Sequence, residues 1–125
     1  MTWTRDELSR IGGARELQVS SRRPDGTLPP YVTIWVVRAD DDIYVRSAYG
    51  PNNGWFRRAQ ASGVGRIRAG GVERDVTFTE PPADAHPDID AAYHAKYDRY
   101  GPAIVGSVVG EQATKVTLRV APRDT

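Results

Sequence analysis

Two adjacent glycines, Gly70 and Gly71, sit between two β-forming runs, Val64–Ala69 and Val72–Thr79. A two-residue hairpin turn needs a backbone that tolerates positive φ, and glycine provides it at no steric cost, so the pair predicts an antiparallel hairpin. The turn also sets a ladder: Ala69 faces Val72, Arg68 opposes Glu73, and Arg66 opposes Asp75. Two opposite-charge pairs then share the outer face, each contributing about 0.2–1 kcal/mol. Their larger role is register, because a one-residue slip exchanges the two faces of a strand. The same ladder turns Arg74 inward among Ile67, Val72, Val76 and Phe78. A guanidinium there needs a carboxylate, a ligand, a partner subunit or a route to the rim.

The run Tyr31–Arg38 is the densest in β-branched and aromatic residues. Val32, Ile34 and Val36 fall on one face and Tyr31, Thr33, Trp35 and Val37 on the other, which predicts a single strand, central or at a subunit interface. A small barrel has one interior, so the outward set needs a helix or a second subunit over it, and a homodimer is expected. After the Asp40-Asp41-Asp42 turn, Ile43–Tyr49 reads as its partner strand; loops of two, three or four residues are all acceptable. Thr4-Arg5-Asp6-Glu7 is a capping box opening a helix to about Ile11, stopped by Gly12-Gly13. Glu16–Arg22 reads as a strand, followed by the turn-rich Pro24–Pro30. Asn52 or Asn53 caps a helix over Gly54–Ala61. His86-Pro87 opens the longest helix, with Ile89, Ala92, Tyr93, Lys96, Tyr97 and Tyr100 at helical spacing on one face and Gly101-Pro102 ending it. Ala103–Val109 reads as a buried loop or short helix. Lys115–Val120 is the last strand, with Val116, Leu118 and Val120 inward. The sum is a mainly β chain: a small antiparallel split β-barrel of about six strands with two or three flanking helices, one domain over residues 1–125.

The 125 residues carry a formal net charge of +1, so no global field recruits nucleic acid or acidic lipid. There is no cysteine, which excludes disulfides, thiol nucleophiles and zinc–thiolate sites. No secretory signal is expected at the amino terminus, no membrane partner is expected, and the expected location is cytoplasmic. The two histidines, His86 and His94, lie eight residues apart, about 12 Å along a helix, too far to share one metal ion. No metal site is expected. No nucleophile elbow is present, and neither glycine pair matches a phosphate-loop fingerprint.

One stretch, Arg46 to Arg58, gathers the ingredients of a ligand site. It joins a strand end with Arg46 and Ser47, the loop Tyr49-Gly50-Pro51-Asn52-Asn53, a helix start, Trp55-Phe56, and Arg57-Arg58. Free amides at a helix amino terminus attract anions, arginine adds fork geometry, and aromatics offer stacking surfaces. A flat, phosphorylated ligand would use all three.

The runs Thr33-Ile34-Trp35-Val36-Val37-Arg38, Tyr44-Val45-Arg46-Ser47, Gly54-Trp55-Phe56-Arg57 and Gly65–Gly71 resemble a bacterial family known as domain of unknown function 2255. Ala91–Tyr97 and Ile104–Val109 extend the resemblance over nearly the whole chain. That family is similar in turn to the flavin-binding split barrels, including pyridoxamine-phosphate-oxidase-like proteins and deazaflavin-dependent nitroreductases. The resemblance implies a homodimer with FMN, or alternatively a deazaflavin, at the subunit interface, and an oxidoreductase-like role. It implies a phosphate site at Arg46, Ser47, Arg57 and Arg58, with Trp35, Tyr49 or Trp55 near the ring. Because two neighbouring helical residues point about 100° apart, one arginine, Arg57, is expected to face the site and Arg58 to face solvent. The nitroreductase-like relatives often carry Trp followed shortly by Asn-Leu at this helix, where this chain has Trp55-Phe56-Arg57-Arg58. The alternative is a non-enzymatic small-ligand module on the same barrel, without the cofactor.

Overall fold

The computed structural model describes residues 2–123. Seven antiparallel strands form one sheet: β1 (Leu17–Ser21), β2 (Val32–Ile34), β3 (Val37–Ala39), β4 (Asp42–Arg46), β5 (Val64–Ala69), β6 (Val72–Thr79) and β7 (Thr117–Pro122). Their order across the sheet is β2-β1-β5-β6-β7-β4-β3. The two edge strands, β2 and β3, are consecutive in the chain and joined only by Trp35 and Val36. That link spans three residue steps, at most about 11 Å, so the sheet must curl until its edges nearly meet. The result is a half-closed barrel, split at the crossing, with five α-helices flanking it among the described residues.

The single strand expected over Tyr31–Arg38 is therefore a correction. Its first half pairs with β1 and its second half with β4, at opposite edges. It breaks at Val36, whose backbone groups turn to side chains of the helix α3 (His86–Tyr97). The Val36 amide donates to Tyr97 Oη at 3.1 Å, and its carbonyl accepts from Lys96 Nζ at 2.7 Å. Seven strands replace six for this reason.

The hairpin register is as the charges predicted: Ala69 faces Val72, Arg68 faces Glu73 and Arg66 faces Asp75. Arg66 Nε lies 2.8 Å from Asp75, and Arg68 is paired with Glu73. Arg74 sits opposite Ile67 and finds a carboxylate, Glu7, at 2.7 Å. Glu7 belongs to helix α1 (Arg5–Gly13) and completes the Thr4 capping box as well. One side chain thus ends a helix and docks it on the sheet, and the Glu7 pKa is lowered, first by the Thr4 amide. The β3–β4 turn takes the two-residue form, with Ala39 facing Asp42 and Asp40 at φ 54°.

Two apolar cores result. The barrel interior holds Leu17, Val19, Ile43, Val45, Ile67, Val76, Phe78, Leu118 and Val120, closed by Leu8 and Ile11 of α1 and by Trp55, Phe56 and Ala59 of α2 (Gly54–Ser62). A second core lies outside the sheet, where α3 packs Ile89, Tyr93 and Tyr97 onto Val37 of β3 and Tyr44 of β4. Helix α3 is thus one cover for the outward residues of this region. The segment 102–116 adds α4 (Pro102–Val105) and α5 (Glu111–Thr114), with Val105 and Val108 in the second core.

Candidate functional site

Helix α2 follows the loop after β4 and is pinned to β1: Ser21 Oγ donates to the Trp55 carbonyl at 2.7 Å. It begins at Asn53, whose side chain makes no cap bond, and its first turn carries no acid. Its amino terminus therefore keeps its partial positive charge and free amides. A cleft opens on each side of this start.

The first cleft, about 440 Å³, is lined by Val32, Ile34, Trp35, Tyr49, Asn53, Trp55, Ile104 and Val108, with Glu16 and part of Arg46. Trp35 stacks on Tyr97 at 4.0 Å and 5° between planes. One face of the indole is thus fixed by a tyrosine from α3 while the residue borders the cleft. Tyr97 Oη in turn lies 2.8 Å from the Arg15 carbonyl and 3.0 Å from that of Val36. Burial pushes the Tyr97 pKa up to about 12, so the hydroxyl stays a neutral donor. Val32, Tyr49 and Ile104 are the large exposed hydrophobics among the described residues, and all three rim this cleft. Tyr49 is 87% exposed, whereas Trp55 is buried and packs edge-on against Phe56.

The second cleft, about 640 Å³, runs along the other side of α2 and is lined by Arg22, Pro24, Pro51, Gly54, Arg57, Arg58 and Gln60 to Ser62. Gly54, Arg57, Arg58 and Ala61 recur at three-and-four spacing, so they share one helix face. Both arginines therefore border the same cleft, and Arg58 does not point away from it. The Arg58 fork folds back over Gly54, where an added Cβ would meet Nη1 at 3.1 Å. The Nε atoms of Arg22 and Arg58 are buried without a hydrogen-bond partner. No carboxylate lies within ion-pair distance of Arg22, Arg57 or Arg58 among the described residues.

The residues expected to form one anion site are thus divided. Arg57 and Arg58 come together, joined by Arg22 from the end of β1, which sequence reasoning missed. Arg46 and Ser47 lie apart from them. Arg46 is buried under α3: Nε donates to Thr117 Oγ1 at 2.9 Å, Nη1 to the Val108 carbonyl at 2.8 Å and to Asp90, and Nη2 lies 3.2 Å from His86 Nδ1. Four of its five N–H donors thus serve the protein. Its guanidinium also lies 5.6 Å over the Tyr93 ring. Burial, then the Arg46 charge, lowers the His86 pKa and keeps its ring a neutral acceptor. Ser47 Oγ donates to the Gly50 carbonyl at 2.7 Å, shaping the loop. Lys96, which donates to the Val36 carbonyl, is held by burial at a pKa of about 8. Among the described residues no three metal-ligating side chains converge, and no helix is long and apolar enough to cross a membrane.

The sheet is a curled antiparallel half-barrel with flanking helices and a cleft at its split. The chain belongs to the bacterial family described as "Uncharacterized protein conserved in bacteria (DUF2255)", whose pattern matches residues 7–120. No curated protein sequence matches it. The fold recurs among solved structures, including these three. A conserved hypothetical protein from Mycobacterium tuberculosis superposes with a TM-score of 0.61 at 15% identity, covering 99% of this chain and 83% of its own. An FAD-binding protein from Mesorhizobium loti gives 0.56 at 17%, covering 99% and 93%. An F420 reductase gives 0.53 at 14%, covering 93% and 92%.

Proposed function

We propose that this protein binds a phosphorylated flavin-type cofactor, FMN or a deazaflavin, and serves as an oxidoreductase of the split-barrel type. The observation that carries this reading is Trp35: a planar side chain braced on Tyr97 at 4.0 Å beside an apolar cleft suits a flat aromatic ring. Structural neighbours described as FAD-binding and as F420 reductase support the same ligand class. A bound flavin supplies the hydride and electron transfer; the chain supplies binding, orientation and exclusion of water. Val32, Ile34 and Val108 give the cleft its apolar wall, and Glu16 is its one lining carboxylate. Across the start of α2, Arg57 and Arg58 offer the cofactor phosphate unpaired forks, and the helix adds its free amides. Arg46, bound to α3 and Val108, acts here as a positioning residue that joins two walls of the cleft. A second copy of the chain is part of this reading, covering the exposed Val32, Tyr49 and Ile104; light scattering at micromolar concentration should return the dimer mass.

The test compares FMN with riboflavin, which lacks the phosphate. Arg57→Ala should weaken FMN by about ten- to a hundredfold, the loss of one charge-assisted contact, and leave riboflavin nearly unchanged. Trp35→Ala should weaken both by roughly tenfold, as expected for one lost stacking contact. Equal binding of FMN and riboflavin by the unmodified protein refutes the phosphate assignment. Binding of neither FMN nor deazaflavin refutes the whole reading and favours a module without cofactor.

A further inference from the structure

We propose that the arginine cleft is a diphosphate site, in which Arg22 holds a second phosphoryl group beside the one taken by Arg57 and Arg58. That the ligand is a flavin-type cofactor rests on the reading above, which a diphosphate site narrows to a flavin dinucleotide; the anion site itself rests on the cleft alone. A phosphate monoester presents three terminal oxygens. Two arginine forks and the free amides of α2 are enough to fill them. Arg22 comes from a different element, the end of β1, and brings a third fork of which the protein uses one bond, Nη1 to the Gly26 carbonyl at 2.6 Å. Its Nε and that of Arg58 are buried and unpaired, a desolvation cost that an anionic partner would offset.

The surrounding charges agree. The Asp75 carboxylate is held low first by Arg66, with which it is paired at 2.8 Å, and only weakly by Arg22, and Asp25 is bonded to Thr27. The cleft follows α2 from Gly54 to Ser62, about 12 Å of helix, and its volume of about 640 Å³ far exceeds one phosphate. The loop between β4 and α2 forms a common wall: Pro51 and Gly54 border the arginine cleft, while Asn53 and Trp55 border the aromatic one.

The experiment uses calorimetric titration at low salt with inorganic pyrophosphate and inorganic orthophosphate, then FAD, FMN and riboflavin. Pyrophosphate should bind at least tenfold more tightly than orthophosphate. Arg22→Gln should erase that difference without moving orthophosphate or riboflavin, and should erase a preference for FAD over FMN. A melting temperature matching the unmodified protein verifies that Arg22→Gln is folded. Arg58→Gln, which should weaken both phosphates, gives a second reading should Arg22→Gln be unstable. Equal affinity for the two phosphates, heat from neither, or an Arg22→Gln variant that still discriminates them overturns the diphosphate site. Pyrophosphate is scored without any flavin, so failure of both FMN and deazaflavin to bind overturns the cofactor reading and leaves this site standing.

Discussion

Replacing Tyr97 with phenylalanine isolates the group that sets the barrel's split. The variant keeps the ring, and with it the 4.0 Å stack on Trp35 and the packing in the outer core. It removes one hydroxyl, which accepts from the Val36 amide at 3.1 Å and lies 2.8 Å from the Arg15 carbonyl and 3.0 Å from that of Val36. A hydroxyl has a single proton. When Tyr97 donates to Arg15, the Val36 carbonyl depends on Lys96 Nζ at 2.7 Å, and that bond survives the substitution. The loss is therefore one fully buried amide, about 1–3 kcal/mol, plus one part-buried carbonyl at the low end of that range. The sum is about 2–4 kcal/mol. Urea denaturation followed by far-UV dichroism and tryptophan emission measures it; with a slope near the middle of the usual range of about 1–3 kcal/mol/M, the midpoint should fall by roughly 1–2 M. An unchanged slope with a midpoint within about 0.3 M of the unmodified protein would refute the account of the strand break.

Lys96 makes stability rise with pH: its folded pKa of about 8 lies below the ordinary 10.5, so between those values the unfolded chain binds more protons than the folded one. Stability should increase from pH 8 to 10 by no more than about 3 kcal/mol, and Lys96→Met should flatten that rise; a slope equal in both proteins counts against a buried lysine charge. Asp90→Ala leaves the Arg46 guanidinium, 0% exposed, without its counter-charge and should cost about 3 kcal/mol or more, whereas Arg46→Met leaves an Asp90 that solvent already reaches. The double variant should cost less than the sum of the singles, and additivity within about 0.5 kcal/mol would dismiss the pair as a coupled unit.

The parts of this molecule that were legible in the sequence are those whose information is local. The hairpin at Gly70-Gly71 carries its own turn chemistry and its own charge ladder within sixteen residues, and the observed register follows from them. The Thr4–Glu7 capping box is complete within four residues. The α3 face is set by spacing alone, and Ile89, Tyr93 and Tyr97 are its buried residues. The candidate site was legible only in part. Arg57 and Arg58 were visible as an adjacent pair, but their partner Arg22 lies in a basic pair at a strand end, with no motif around it. Only the packing of α2 on β1 brings it near, and the one local signal was Arg22-Arg23 preceding a turn-rich segment.

The run Tyr31–Arg38 was misread, and the partners of Arg46 were not foreseen, for a common reason. Each sits on backbone whose outward face is covered by α3, a helix more than forty residues downstream. A strand apolar on both faces can be central, interfacial, or an edge overlaid by a helix, and its composition is the same in all three cases. Here α3 both covers β3 and β4 and supplies Tyr97 and Lys96 to the backbone at Val36, which frees the chain to cross from one sheet edge to the other. The same crossing sets Trp35 at the mouth of the aromatic cleft. The break in the strand and the stacking platform are therefore one structural event: a helix that made Tyr31–Arg38 continuous would close the split and remove the surface on which a flat ligand can rest.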